Sequence, residues 1–191
     1  LAHEIPVKSI VNSGPDIISF SGDKLLGGPQ SGLMVGRKKW INACKKNPLY
    51  RVLRCDKVTI GLLEETLRSY RSQSFSKDNL SLTMLTTSRK VLKTRGQKVL
   101  DSLQKKTIKD LGILLVDSEV EAGSGSLPDD KIESASLSFS PKNGKSKDLA
   151  KSFRCGSIPV VGYIKKNTFY IDLKSVLPNQ IKRLSIAIQE V

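Results

Sequence analysis

The feature of the sequence best suited to chemistry is a lysine, Lys24, which follows a short apolar segment and precedes a glycine-rich turn. Residues 16–20 are apolar and β-prone, which is typical of a buried strand. Residues 27–32 are rich in glycine, and the missing Cβ lets the backbone approach a ligand closely. A lysine between them is placed to be desolvated, which disfavours the ammonium form and makes the amine nucleophilic.

Lysine is also the natural candidate for a catalytic base in this chain, because the single histidine, His3, lies close to the start of the sequence. A lysine can act as a base when its pKa is lowered. Ser21, which precedes Lys24 in the same segment, is placed to donate its hydroxyl to a phosphate. The residues alone leave a second interpretation open, in which Lys24 is an ordinary surface lysine beside glycines.

Two arginines form a second candidate site. Arg51 and Arg54 are three residues apart, so on a helical turn their Cβ atoms would lie about 5–6 Å apart on one face. Two guanidinium groups in that arrangement can bind a phosphate through paired hydrogen bonds. The alternative is a solvated basic face, in a chain that contains 32 lysines and arginines.

The charge of the chain is strongly positive. The formal net charge is +14 over 191 residues, and the sequence pI is near 9.8. Such an excess favours a polyanionic partner, most simply a nucleic acid, although a basic surface that only maintains solubility is equally compatible with it. A composition of 38% hydrophobic and 26% charged residues indicates a globular chain, either one large domain or one small domain with part of another.

Several classes of protein are disfavoured by the sequence. No apolar run approaches the roughly 20 residues of a transmembrane helix, and the opening segment lacks the regions of a signal peptide, so we expect a cytoplasmic protein without a membrane. The first residue is Leu1, which suggests a piece of a longer chain. The cysteines, Cys44, Cys55 and Cys155, are odd in number and form no paired motif, which argues against a disulfide scaffold and predicts no metal site.

Periodicity places these residues on elements that change in character along the chain. Up to about residue 110 helices dominate, and beyond it strands do. A polar stretch at 72–79 predicts a hinge, and loops are expected at 123–126 and 141–145. The pattern predicts helices at 5–12, 37–46, 59–70, 88–103, 147–153 and 178–189, and strands at 16–20, 33–36, 113–121, 133–140, 158–164 and 169–173.

The segment 21–32 closely resembles the cofactor-lysine motif of bacterial selenocysteine synthases, the L-seryl-tRNA(Sec) selenium transferases, which are pyridoxal-phosphate (PLP) enzymes of fold type I. Further similar segments follow in order at 47–57, 59–70, 158–162 and 171–178. Members of that family are much longer, so the resemblance implies that this chain corresponds to roughly their C-terminal half.

The resemblance implies roles for particular residues. Lys24 would hold PLP as a Schiff base, and Asp23 would tune its proton transfers or else be a structural turn residue. The serine of a seryl-tRNA would lose its hydroxyl as water, by β-elimination, and take up selenium from selenophosphate. Arg51 and Arg54 would bind that donor, with Lys57 beside them. Arg154 lies near the place where related enzymes bind a substrate carboxylate.

The implied fold class is α/β to α+β. Residues 1–36 would be the end of a PLP-binding large domain, 37–78 would carry the arginines and an interdomain helix, and 79–191 would form a small α+β domain. The tRNA-recognition domain and the contacts to the PLP ring would precede Leu1, so we expect the fragment alone to be inactive. Family members form ring-shaped homo-oligomers built of dimers, which implies the same partner here.

Two other functions remain open at this stage. One is a related PLP lyase or ammonia-lyase that acts on a phosphorylated amino sugar or amino acid, in which Arg51 and Arg54 would bind the substrate's phosphate. The other is a non-catalytic RNA-binding module, which the positive charge alone would allow. Binding of seryl-tRNA by the full-length protein discriminates between the first alternative and a selenium transferase.

Overall fold

The computed structural model describes residues 5–74, 79–122, 131–142 and 144–191. They form two compact units, of which one holds the residues up to Thr83 together with Ala122. The second holds Met84–Glu121 and Lys131–Val191. Within the described ranges, no helix is both long enough and apolar enough to cross a membrane.

The first unit is built around a β-hairpin. Strands β1 (Ile17–Ser21) and β2 (Gly32–Gly36) are antiparallel, with Ser21 opposite Gly32 at the end where the connecting loop begins. A short helix, α1 (Val7–Asn12), precedes the hairpin. The predicted strand, glycine-rich turn and second strand are thus confirmed, and the turn becomes the loop between two paired strands. The burial predicted for the first strand is wrong within the described residues, because exposed and half-buried residues alternate along β1.

Helices complete the first unit, and polar side chains cap the start of most of them. They are α2 (Lys38–Lys46), α3 (Pro48–Val52), α4 (Lys57–Arg71) and the first part of α5 (Leu80–Thr86), which belongs to the second unit from Met84 onward. The Asp56 carboxylate accepts hydrogen bonds from the first turn of α4, as an N-cap does. The sequence did not predict α3 or α5. Of the predicted hinge at 72–79, residues 75–78 lie outside the described part of the chain.

The second unit contains four further strands, β3 (Ile113–Glu121), β4 (Lys131–Phe139), β5 (Tyr163–Lys165) and β6 (Thr168–Asp172). They form an antiparallel sheet in the order β3-β4-β6-β5. Strand β5 is shorter than the predicted strand at 158–164. Pro159 has no N–H to donate, and the N–H of Val160 donates to the Phe153 carbonyl at 2.9 Å, so this segment pairs with the end of a helix instead of the sheet.

Helices cover one face of this sheet and form the core with it. Phe139 on β4, Phe169 on β6 and Phe153 on a helix have ring centroids 5.3–5.7 Å apart, in mixed edge and stacked contacts. Every buried hydrophobic side chain in the described ranges belongs to this second unit. The helices of the unit are α6 (Arg89–Ser102), α7 (Lys105–Leu111), α8 (Ser146–Cys155) and α9 (Ile181–Gln189).

The other face of the sheet carries a network of hydroxyl groups around one carboxylate. Asp172 accepts hydrogen bonds from Ser134 at 2.6 Å, from Ser136 at 2.8 Å and from Ser118 at 2.9 Å. The buried ammonium of Lys174 donates to two backbone carbonyls, and burial lowers its pKa. The alternation at 133–140 predicts a half-buried strand, but residues 134–139 are all buried, because the serines find partners inside the unit.

Gly112 should be intolerant of a side chain. It ends α7 with a φ of +57°, and a Cβ there would lie 2.2 Å from the Ser140 carbonyl oxygen. We expect Gly112→Ala to lower the free energy of unfolding by about 1–2 kcal/mol for the left-handed backbone, plus about 1–3 kcal/mol for the overlap. Urea denaturation of the full-length protein measures the change.

Gly144→Ala is the matched control. Gly144 also has a positive φ, +97°, but nothing lies within 4 Å of the position its Cβ would take. This variant should therefore show the backbone penalty without the overlap. Equal losses in the two variants would contradict the steric argument.

Candidate active site

The loop between β1 and β2 closes on Gly22. The N–H of Gly22 donates to the Ser31 carbonyl at 2.8 Å, and the Gly22 carbonyl accepts from the N–H of Gly28 at 2.8 Å. Gly22 is buried, and a Cβ there would lie 2.9 Å from the Pro29 carbonyl oxygen. Only glycine fits this position, because any side chain would overlap that oxygen. The two hydrogen bonds of Gly22 hold the loop backbone in a compact conformation.

Lys24 lies on this loop with its amine accessible. Its Nζ is 3.0 Å from an Asp23 carboxylate oxygen, and its side chain is 40% exposed. The hydrogen bond from Lys24 lowers the pKa of the Asp23 carboxyl, which keeps the carboxylate ionised beside the amine. The desolvation of Lys24 that the sequence predicts is not supplied by the described residues, so the amine faces solvent there.

Ser21 is the last residue of β1 and is exposed. In the described part of the chain, its hydroxyl makes no hydrogen bond. Three candidates therefore lie close together at the loop end of the hairpin because they are neighbours in sequence, namely Ser21, Asp23 and Lys24. Asp23 and Lys24 are in contact, and the serine hydroxyl remains available for a ligand.

Two residues that the sequence analysis missed form hydrogen bonds to residues 22–31, which we call the Lys24 loop. The Tyr70 hydroxyl donates to the Leu26 carbonyl at 3.1 Å, and the Asn79 amide donates to the same oxygen at 2.9 Å. Burial raises the pKa of the Tyr70 phenol, so it stays protonated and able to donate. Gly27 fits below the amide because it has no side chain, since a Cβ would lie 2.2 Å from the Asn79 Nδ2.

Asn79 has a second function in the same place. Its side-chain oxygen accepts a hydrogen bond from the N–H of Leu82 at 3.0 Å, within the first turn of α5. An asparagine immediately before an apolar segment is a typical helix N-cap. That signal was present in the sequence at 79–85 and would have identified both the helix and its capping residue.

The structure corrects the geometry expected of the arginine pair. Arg51 lies in α3, which ends at Val52, whereas Arg54 lies beyond the helix. The chain leaves the helical conformation because Asp56 must be extended to cap α4. The two arginines therefore do not share one helix face. Both are exposed, and neither forms an ion pair within the described ranges.

The remaining two candidates lie elsewhere. Lys57 is the first residue of α4, next to the capping carboxylate of Asp56, and is exposed. Arg154 is exposed in the last turn of α8, in the second unit. Neither contacts the Lys24 loop through a hydrogen bond or ion pair in the part of the chain that the structure describes.

Comparison with known proteins decides the family. The family model described as SelA, L-seryl-tRNA selenium transferase, matches residues 1–177. The chain belongs to the L-seryl-tRNA selenium transferase family. This confirms the resemblance seen in the residues around Lys24.

Individual relatives agree with this assignment. The chain is 34% identical over 190 residues to an L-seryl-tRNA(Sec) selenium transferase from Geotalea daltonii, a match that covers 99% of this chain and 41% of that protein. It is 36% identical to the enzymes of the same name from Escherichia fergusonii and Haemophilus influenzae, covering 87% and 92% of this chain. The chain spans about two fifths of the length of these transferases.

A solved structure supports the fold. D-glucosaminate-6-phosphate ammonia-lyase superposes with a TM-score of 0.57 at 19% identity, over 94% of this chain and 44% of that one. At this identity the likeness establishes the fold alone. The chain is therefore a mixed α/β structure with two antiparallel sheets, related in fold to the corresponding part of that lyase.

The contribution of the Asn79 hydrogen bond to the order of the Lys24 loop can be tested with Asn79→Asp in the full-length protein. Aspartate retains the acceptor that caps α5 but replaces the donor to the Leu26 carbonyl with a carboxylate. The variant loses this hydrogen bond and places a carboxylate beside the Leu26 carbonyl oxygen, which together cost about 1–3 kcal/mol. Amide hydrogen exchange at residues 25–28 should therefore accelerate by roughly tenfold to a hundredfold.

Asn47→Asp provides the control. Asn47 also caps a helix, α3, by accepting from the Leu49 N–H at 2.9 Å, but it does not contact the loop. It should leave exchange at 25–28 unchanged. If both variants exchange alike at these residues, Asn79 does not hold the loop.

Proposed function

We propose that the complete protein converts seryl-tRNA(Sec) to selenocysteyl-tRNA(Sec), with selenophosphate as selenium donor and PLP bound through Lys24. One observation carries the proposal: in a chain of the selenium transferase family, an accessible lysine amine lies on a loop closed around Gly22. An amine on a fixed backbone meets the first requirement of a Schiff-base lysine, because the group must be reachable and reproducibly placed.

The residues present suit a PLP site. The Lys24 amine has a single close partner among the described residues, Asp23, and can be released from it. The Ser21 hydroxyl, without an internal partner, would donate to the cofactor phosphate. When bound, PLP supplies an electron sink that makes a hydrogen on the α-carbon of an attached amino acid acidic.

Lys24 would then carry out the proton transfers, with Asp23 beside it. The freed Lys24 amine accepts the proton from the α-carbon of the seryl group, and the neighbouring Asp23 carboxylate stabilises the resulting ammonium. The seryl hydroxyl leaves with a proton as water. The selenium of selenophosphate bonds to the β-carbon, and water cleaves the P–Se bond, which releases phosphate. Return of a proton to the α-carbon completes the selenocysteyl product, so the lysine acts both as base and as acid.

The cationic segment 51–57 would bind the selenium donor. Arg51, Arg54 and Lys57 are all exposed, and none is neutralised by a carboxylate within 4 Å among the described residues. Selenophosphate is an anion with oxygens that guanidinium groups bind well. Although the arginines do not share a helix face, exposed side chains on adjoining segments can converge on one small anion. Arg154 remains a further candidate for contact with the substrate.

The proposed domain organisation follows the family. Residues 1–36 would be the end of a fold-type-I large domain, 37–78 would carry the donor-binding segment, and 79–191 would include the small domain. The first unit has no buried hydrophobic side chain among its described residues, and the relatives are more than twice as long. Both facts support a large domain that other parts of the protein complete. We further propose a cytoplasmic homo-oligomer, as in the family.

The sequence leaves a second function open, that of a related PLP lyase or ammonia-lyase, and D-glucosaminate-6-phosphate ammonia-lyase shares the fold. In that case Arg51 and Arg54 would bind the phosphate of a small amino substrate. Identity to the transferases is 34–36%, against 19% for the lyase, which favours the tRNA substrate. A non-catalytic RNA-binding module, the remaining alternative, is disfavoured by the retained Lys24 loop.

Lys24→Ala in the full-length protein tests the cofactor assignment. The variant should lose the visible absorbance of bound PLP and should carry no PLP after borohydride reduction, as measured by mass spectrometry of the peptide that contains residue 24. Asp23→Asn keeps the amine and should still be labelled. Borohydride-stable PLP on Lys24→Ala would show that another lysine holds the cofactor.

Arg51→Ala and Arg54→Ala test the donor site. Each charge-assisted contact contributes about 1.5–3 kcal/mol, so turnover at limiting selenophosphate should fall roughly tenfold to a hundredfold. PLP absorbance and binding of seryl-tRNA should be retained, and lysine at either position should restore activity only in part. Arg71→Ala, an exposed arginine at the end of α4, is the control. Normal turnover of both test variants at low donor concentration would exclude this role.

A further inference from the structure

The register of the second sheet gathers separate segments at one of its ends. Ile113, the first residue of β3, lies opposite Phe139, the last residue of β4. Phe139 in turn lies opposite Phe169 near the start of β6, which lies opposite Ile164 near the end of β5. The helix α7, the described loop residues 140–142 and 144–145, and the β5–β6 turn therefore all emerge at this same end.

Hydrogen bonds join these segments into one continuous surface. The Ser140 N–H donates to the Leu111 carbonyl at 3.0 Å, and the Lys142 N–H donates to the Asp110 carbonyl at 3.1 Å, so the loop is fixed to the end of α7. The Ser146 hydroxyl donates to the Asn167 carbonyl, so the start of α8 is fixed to the β5–β6 turn. We call this surface the basic end.

The charge of the basic end is almost entirely positive. Its two carboxylates, Asp110 and Asp148, stand among eight exposed lysines, and none of these lysines forms an ion pair within the described ranges. The outer face of α8 continues the positive surface with Lys151 and Arg154. The lysines of the basic end are Lys105, Lys106, Lys109, Lys142, Lys145, Lys147, Lys165 and Lys166.

The opposite end of the sheet is organised differently. Lys131 lies 3.7 Å from Glu119 there, and Lys93 lies 2.7 Å from Asp117 at the middle of β3, so these cations and carboxylates neutralise each other. The eight lysines of the basic end, in contrast, have no carboxylate partner within the described ranges. Like charges separated by less than the Debye length of about 8 Å repel each other, and a polyanion that binds there relieves that repulsion.

We propose that the basic end binds the sugar–phosphate backbone of RNA, namely the tRNA of the proposed substrate. The segments 104–110, 140–148 and 165–167 contain no aromatic residue, so bases have no ring to stack on and the contacts are to phosphates. Lysine provides charge without the planar fork that reads base edges, so the binding is independent of sequence. This inference rests on the proposed function for the identity of the RNA.

The test removes one lysine from each segment in the full-length protein, as Lys106→Gln, Lys145→Gln and Lys165→Gln combined. The control removes three exposed, unpaired lysines of the same unit, as Lys90→Gln, Lys98→Gln and Lys182→Gln. Both triple variants change the net charge equally. Circular dichroism confirms that each remains folded, and tRNA affinity is measured by fluorescence anisotropy over a series of salt concentrations.

We expect the slope of log affinity against log salt concentration to become shallower by roughly 2–3 in the test variant. Each lost phosphate contact reduces the magnitude of this slope by about 1. The control slope should match that of the parent. Equal slopes in the test and control variants would overturn the proposal. Loss of binding to phosphatidylserine vesicles with unchanged tRNA binding would also overturn it, by showing a membrane surface.

The outcome is separable from that of the proposed function. Turnover of seryl-tRNA by the parent protein reports the proposed function, and labelling of Lys24 by borohydride reports the cofactor site. A test variant with normal salt dependence, beside a parent that makes selenocysteyl-tRNA, contradicts only the basic end. A parent that binds tRNA through these lysines but makes no selenocysteyl-tRNA supports the basic end and contradicts the proposed function.

Discussion

The first unit depends on the close approach of backbone to backbone at Gly22. Both polar groups of this residue are used, the N–H toward Ser31 and the carbonyl toward Gly28, so the ten-residue loop is closed near its start. Closure presents the Leu26 carbonyl to Tyr70 and Asn79, and it leaves the Lys24 side chain on the outside. A side chain at Gly22 would overlap the Pro29 carbonyl, open the loop and remove both the anchor and the placement of the amine.

Much of the site could be predicted because it is local. The strand before Lys24, the turn and the second strand follow from apolar runs and glycines that are adjacent in sequence. The arginine geometry could not be predicted in this way, because a spacing of three suits a helix only while the helix continues. Here the Asp56 side chain captures the N–H groups of Val58 and Thr59, which starts a new helix and takes Arg54 out of the old one.

Contacts distant in sequence account for what the patterns missed. Asn79 lies in a polar stretch that indicates a linker, yet its amide reaches Leu26, 53 residues earlier. Strand β4 alternates serine with apolar residues, which indicates one solvated face, but the serines donate to a carboxylate on β6. In both cases a polar side chain that sequence reasoning assigns to water is satisfied by a partner that only the fold supplies.

The Asp172 network also restricts how the second sheet can assemble. Its three serine donors occupy alternate positions on β3 and β4, and Ser136 lies directly opposite Asp172. A slip of β4 by one residue would place Ala135 or Leu137 opposite the carboxylate, where neither side chain can donate a hydrogen bond. The apolar face alone would penalise such a mispairing through lost packing. A buried carboxylate without donors adds an electrostatic penalty. This penalty further disfavours the shifted strand register during folding.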